Sequence, residues 1–413
     1  MITDLLYIDK DLFSCTNIYI YHDKLGINSD TNTRTMSLIP TLNADCTSII
    51  LGYLDNSALS AFALTSHAAV VPVRKELARC LHFTDVESAI TGVTFVQNHS
   101  LERSVRAIVL DIPEEKWSSS FTSFVTDILT STRNVTRVFI KKYAELAKAE
   151  PRIAEILTSG IFIIVHLHLH GLRRTSLEPL LNIRGLRSIA FGVQDNYCKI
   201  QCAKHIVAIV SGNAATLQDV SIDGPSHRMW LRLDVDVSPC LLVSRLTLHN
   251  MAFFYEEIGR VFPNIQQQHL WRTNIYSLEE EGRLGPHGPP LARELMLPVQ
   301  WYHDFLSLRS LVIQSTNIAF HVDDLTASLR QSSLRDLSLS HVSIGKPRKW
   351  SPPSDIGIAA CPLLSDIVSS AYSLRRLDMG FKFNIPYDPV CLPAFWSLPQ
   401  QRLTSEFSDK PST

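Results

Sequence analysis

No apolar stretch in this chain approaches a membrane span: the longest pure aliphatic and aromatic run, residues 161–165, falls far short of the roughly 20 residues a bilayer requires. Charge of one sign is lacking too. Lys and Arg number 39 against 40 for Asp and Glu, so no global field draws the protein to phosphates or to an anionic surface, and neither nucleic acid nor membrane is expected as a partner. Cysteine is sparse. Eight thiols in 413 residues have neither the density nor the short spacing of a secreted disulfide framework, and they read as reduced and mostly buried. Asp4, Asp9, Lys10 and Asp11 break up the charge order and apolar run of a signal peptide, which predicts a cytoplasmic or nuclear location. Walker loop, dinucleotide glycine fingerprint, nucleophile elbow and zinc-protease helix are all missing, so no catalytic residue, cofactor or metal is expected.

What remains is a composition that folds. Apolar residues make up 45% and charged residues 19%, enough for a sizeable core, while the length exceeds one ordinary core and calls for several domains or an elongated repeat. Residues 1–35 show no sustained period and read as an irregular arm, with Met36 a candidate initiator. From Cys46, the positions Cys46, Ile49, Ile50, Tyr53 and Leu54 recur at the spacing of one helix face. Asn43 is placed to cap that helix. Asp55-Asn56-Ser57 ends it and caps a second helix with Leu59, Phe62 and Ala63, and Thr65-Ser66 breaks the pattern again. Pro72 suits the first turn of a third helix striped by Val73, Leu77 and Leu81.

Ile39-Pro40-Thr41-Leu42, Ile49-Ile50, Tyr53-Leu54, Leu59 and Leu64-Thr65-Ser66 together resemble the F-box, in particular the divergent F-boxes of fungal proteins. Ile39 stands where Leu is usual, and no Trp follows Leu64-Thr65-Ser66. The resemblance covers about a tenth of the chain. It implies docking on a Skp-family adaptor, and through it a cullin, by Ile39, Pro40, Leu42, Ile50 and Leu54.

Beyond residue 83 a pattern apolar-x-x-apolar-x-apolar recurs ten times, beginning at Val105, Val135, Ile164, Leu186, Leu217, Val243, Ile265, Leu308, Leu334 and Leu374. The interval runs from 22 residues, between Ile164 and Leu186, to 43, between Ile265 and Leu308. Helix-period segments lie between, such as Phe121, Phe124, Val125, Ile128 and Leu129, or Leu363, Leu364, Ile367, Val368 and Ala371. Such units bury their apolar faces only by stacking. The pattern resembles leucine-rich repeats, with Asn250 and Asn317 near the place of the family's bridging Asn. The fold class predicted is α/β: a short three-helix F-box-like module at 36–85, then an irregular leucine-rich-repeat solenoid with a curved parallel sheet at 86–383. An ordinary α/β domain is the alternative. Segments 282–298 and 345–353 read as surface loops, and 384–413 as an irregular cap passing into a disordered tail near Gln401.

Three site readings follow. His166, His168 and His170 alternate with aliphatics, which puts all three rings on one strand face, spaced too widely to share one tetrahedral zinc. Cys198, Cys202 and His205 share a helix face but supply three groups only, and packed thiols are expected there. The outward positions Asp219, Ser221, Asp223, Arg245, Thr247, His249, Gln267, His269 and Trp271 form adjacent polar rows, and target contact is assigned to His166, His168, His170, Arg245, His249, His269 and Trp271. The function implied is a non-enzymatic substrate-recognition subunit of a Skp-cullin-F-box ubiquitin ligase, holding an unknown protein target on its repeats. The alternative is a repeat scaffold whose degenerate F-box does not recruit the ligase.

Overall fold

The computed structural model describes residues 44–112, 119–160, 163–194, 199–225, 229–233, 236–276, 295–296, 308–314, 318–320, 330, 333–344, 373–381 and 403–406. Two compact units result, Met1–Gly171 and Leu172–Thr413. The arm 1–35, Ile39, Pro40, Leu42, Asn43, Cys198, Asn317, the helix-period segment around Ile367 and the loop 345–353 lie outside the described residues, as do most of 282–298 and of the tail.

The first unit opens with three helices, α1 (Ala44–Gly52), α2 (Asn56–Ala63) and α3 (His67–Leu77). Their ends are set by short polar side chains. The Asp55 carboxylate accepts from the Ala58 N–H at 2.7 Å, and the Ser66 hydroxyl accepts from the Ala69 N–H at 3.2 Å. Leu51, Leu59 and Val73 form their shared core, with Leu54, Phe62, Ala63 and Leu77 packed against it. Two expectations need correction. Ser66 starts α3 at His67, so Pro72 sits inside the helix instead of in its first turn, where it cannot donate to the carbonyl one turn back. Leu81 is not helical: it lies in β1 (Cys80–Phe83).

That strand begins a parallel sheet. β1 pairs with β2 (Ala107–Leu110), β2 with β3 (Arg137–Ile140) and β3 with β4 (His166–Leu172). Helices connect them: α4 (Val86–Asn98), α5 (Ser119–Ser131), α6 (Tyr143–Ala149) and α7 (Arg152–Thr158). α4 is held at its start by a reciprocal Asp85–Ser88 cap, and Gly92 on it lies so close to Phe83 that a Cβ there would be 3.0 Å from the ring. The α5 stripe Phe121, Val125, Ile128 and Leu129 is buried as its period predicts.

The second unit repeats the scheme. Strands β5 (Ser188–Val193), β6 (Asp219–Asp223), β8 (Arg245–His249), β10 (Gln267–Trp271), β13 (Ser310–Gln314), β15 (Asp336–Ile344) and β16 (Arg376–Phe381) pair in parallel in that order. Helices α8 (Arg174–Leu177), α9 (Lys199–Gly212) and α10 (Tyr255–Val261) accompany them. A second, three-stranded parallel sheet forms from β7 (Trp230–Leu231), β9 (Ala252–Phe254) and β11 (Asn274–Tyr276), just past the ends of β6, β8 and β10. Asn250 and Arg272 take positive φ, 51° and 50°, to turn the chain between the two sheets. β12 (Leu295–Met296) pairs with β14 (Ile318–Phe320), which pairs with β15, so the 282–298 segment is not wholly loop. The tail also departs from expectation, because β17 (Leu403–Glu406) adds antiparallel to β16.

A strand follows each of the ten sequence repeats, starting two residues after the first apolar position, and those first positions are all buried. The strand entries share one hydrogen-bond device. Two successive N–H groups converge on a single carbonyl of the preceding repeat: Gln218 and Asp219 on Arg187, Ser244 and Arg245 on Gln218, Gln266 and Gln267 on Ser244, Arg309 and Ser310 on Gln266. Cys80 is disulfide-bonded, against the expectation of reduced thiols throughout, whereas Cys46, Cys202 and Cys240 carry no disulfide. No helix among the described residues is long and apolar enough to cross a membrane.

Candidate functional site

Helix α1 is apolar on two sides. Leu51 turns toward α2 and α3. The stripe read from the sequence is divided: Leu54 joins that core, whereas Ile49 is 62% exposed, Ile50 48% and Tyr53 89%. Cys46 is exposed as well. The helical period put Leu54 on one face with Ile49, Ile50 and Tyr53, and the structure separates them. Of the five residues assigned to adaptor contact, Ile50 is on the exposed side and Leu54 joins the module's own core.

The three histidines of β4 share one face of the first unit, with Leu167 and Leu169 fully buried on the other. In register, His166 lies beside Arg137, and His168 beside Phe139. The Phe139 and His170 rings stand 5.5 Å apart. Desolvation in this row lowers the His168 pKa to about 4, helped by His170, His166 and Arg137. A shallow depression lined by Val109, Arg137, Phe139, His166 and His168 marks the place. Among the described residues no group of three or more His, Cys, Asp or Glu could hold a metal; Cys202 is fully buried, as a packed thiol would be.

Arg245, His249, His269 and Trp271 come together on β8 and β10 of the second unit. Parallel register aligns three cross-strand rows: Asp219, Arg245 and Gln267; Ser221, Thr247 and His269; Asp223, His249 and Trp271. Arg245 Nε lies 2.7 Å from Asp219 Oδ1, and His249 Nδ1 lies 2.7 Å from Asp223 Oδ1. The Trp271 ring packs on His249 at 5.2 Å, which leaves it half-buried in the row. Asn250, placed by the sequence near the position of the bridging Asn, does reach the preceding repeat: its Nδ2 lies 3.4 Å from Asp223 Oδ1.

Further bridges come from residues the sequence reading passed over. Asn213 is buried, donates to the Ile183 and Ile209 carbonyls and accepts from the Leu186 N–H, tying one repeat to the next. Hydroxyls just before the first apolar residue do likewise: Thr216 donates to the Leu186 carbonyl at 2.7 Å, Ser333 to Leu308 at 3.1 Å and Ser373 to Leu334 at 3.0 Å. A Ser or Thr ahead of Leu-x-x-Leu was the available signal.

No known protein-family profile matches the sequence, and no curated protein matches it. Among solved structures, the chain is similar to the crystal structure of a TLR13-ssRNA13 complex, at 13% identity and a TM-score of 0.35, over 69% of this chain. It spans 41% of that chain's length.

Proposed function

We propose that the protein is the substrate-recognition subunit of a Skp-cullin-F-box ubiquitin ligase, built from an F-box-like module and irregular leucine-rich repeats. The observation that carries this reading is the second apolar side of α1. Ile49 and Tyr53 have their side chains largely in water and Ile50 about half, and a chain that spends three large apolar residues on one short exposed stripe has them ready for a partner helix. The outward faces of the repeats, with His166, His168 and His170 on one unit and Arg245, His249, His269 and Trp271 on the other, would hold the target. No chemistry is required of the chain. A ligase assembly gains rate by keeping target lysines at high effective concentration beside the charged enzyme.

Co-purification with the Skp-family adaptor tests the proposal. Wild-type chain should retain the adaptor, and Tyr53→Asp, at the most exposed side chain of the stripe, should weaken its retention with little change in melting temperature. A wild-type chain that folds and retains no adaptor rejects the receptor role. It would leave the second reading, a repeat scaffold with a degenerate F-box, which the inward placement of Leu54 favours because one assigned contact is then spent internally.

A further inference from the structure

We propose that the strand-entry edge of β13, β15 and β16 binds an extended acidic peptide. Arg309, Arg335 and Arg375 hold the same position in three successive repeats, and all three are exposed. Their backbones are directly stacked: the Arg335 N–H donates to the Arg309 carbonyl at 2.7 Å and the Arg375 N–H to the Arg335 carbonyl at 2.7 Å. One strand spacing, about 4.8 Å, therefore separates each guanidinium stem from the next. Arg376 adds a fourth exposed cation, and its register partners on either side are carboxylates, Asp336 on β15 and Glu406 on β17. The row thus carries an excess of two positive charges, four Arg less Asp336 and Glu406, on a chain whose net charge is −1.

The same edge is built differently a few strands earlier. There Gln218, Ser244 and Gln266 occupy the equivalent positions, and the neighbouring Arg245 is neutralised by Asp219 at 2.7 Å. Among the described residues, no ion pair is formed by Arg309, Arg335 or Arg375. Stacked like charges of this kind hold counterions, and an anionic chain that displaces them binds with a gain that salt erodes. Guanidinium forks match carboxylates two bonds at a time. A nucleic acid strand is disfavoured because it would need rings to stack its bases on, and the outward neighbours on these strands are Ser310, Val312, Gln314, Ser338 and Ser340. The inference goes beyond the receptor reading and stands without it, since a scaffold would bind the same peptide.

Fluorescence anisotropy of the full chain with a fluorescein-labelled peptide carrying Glu at alternate positions tests this, with no adaptor present. Saturable binding that weakens with salt is expected, and Arg309→Gln, Arg335→Gln and Arg375→Gln together should weaken it by about tenfold or more. The control set Arg103→Gln, Arg133→Gln and Lys148→Gln should leave it unchanged. Reversal of the three arginines to Glu should transfer binding to a Lys-containing peptide, a gain that misfolding cannot imitate. Absence of binding, equal loss in the control set, or tighter binding of a single-stranded RNA oligonucleotide would overturn the proposal.

Discussion

Arg245 reaches across one strand spacing to Asp219, Nε to Oδ1 at 2.7 Å, from positions that are register partners on β8 and β6. Both side chains remain partly in water, 41% and 24% exposed, so the pair orders the face more than it stabilises the fold. A double-mutant cycle in urea with Arg245→Ala and Asp219→Ala should give a coupling of about 0.5–1 kcal/mol. A coupling well above about 2 kcal/mol would show that the pair belongs to a desolvated network instead.

Gln268 occupies the inward position of β10 between its register partners Leu246 and Leu311, is fully buried, and neither its amide oxygen nor its nitrogen has a partner among the described residues. An unpaired buried amide costs about 1–3 kcal/mol. Gln268→Leu should raise the urea midpoint by a corresponding amount without altering the m-value. A loss of stability would mean that the amide is in use.

His168 links stability to acidity. Its pKa falls from 6.5 unfolded to about 4 folded, so between those values the unfolded chain binds the proton more strongly. The neutral ring's contribution is complete above 6.5 and is lost as pH falls toward 4. Water reaches part of the ring, so the acid loss assignable to it is about 1–2 kcal/mol. Melting temperatures at pH 7 and pH 5 should diverge less in His168→Gln than in wild type; identical divergence would remove His168 as the cause.

Gly224 closes the turn after β6, where a Cβ would sit 2.5 Å from the Asn250 carbonyl oxygen. That neighbour is backbone and cannot swing aside. Gly224→Ala should therefore cost about 1–3 kcal/mol, seen as a lower melting temperature. An unchanged value would show that the two sheets can slide at this point.

The strand positions were legible because each repeat places its buried residues in a pattern that a helix cannot use: Leu334, Leu337 and Leu339 are all buried, as are Leu217, Val220 and Ile222. β1 was missed because Leu81 continues the four-residue spacing of Val73 and Leu77, and a strand this short gives no alternation to oppose it. The sheet of β7, β9 and β11 was equally hidden, since Ala252, Phe253 and Phe254 are buried on both faces and so show no alternation. On α1 the period identified a single apolar face, which the structure divides into a part joined to the core through Leu54 and an exposed part. Which part a module consumes depends on how α2 and α3 close around Leu51, a tertiary fact absent from any local spacing. The polar rows were placed by alternation alone, but the pairing of His249 with Asp223 required the register, which no single strand encodes.

The paired N–H groups on one carbonyl at each strand entry have a consequence for how such a chain can change length. Every entry from Asp219 to Arg376 is anchored by the repeat before it, always through the same two donors and one acceptor. Removal of one whole unit from this series brings an equivalent carbonyl under equivalent donors, so the joint heals. Changes of length inside a unit fall between entries, as intervals of 22 to 43 residues already show, because each entry sets its register through its own donors and the acceptor before it. The strand entry is therefore the point at which a whole unit joins its neighbours, whatever the length of chain between.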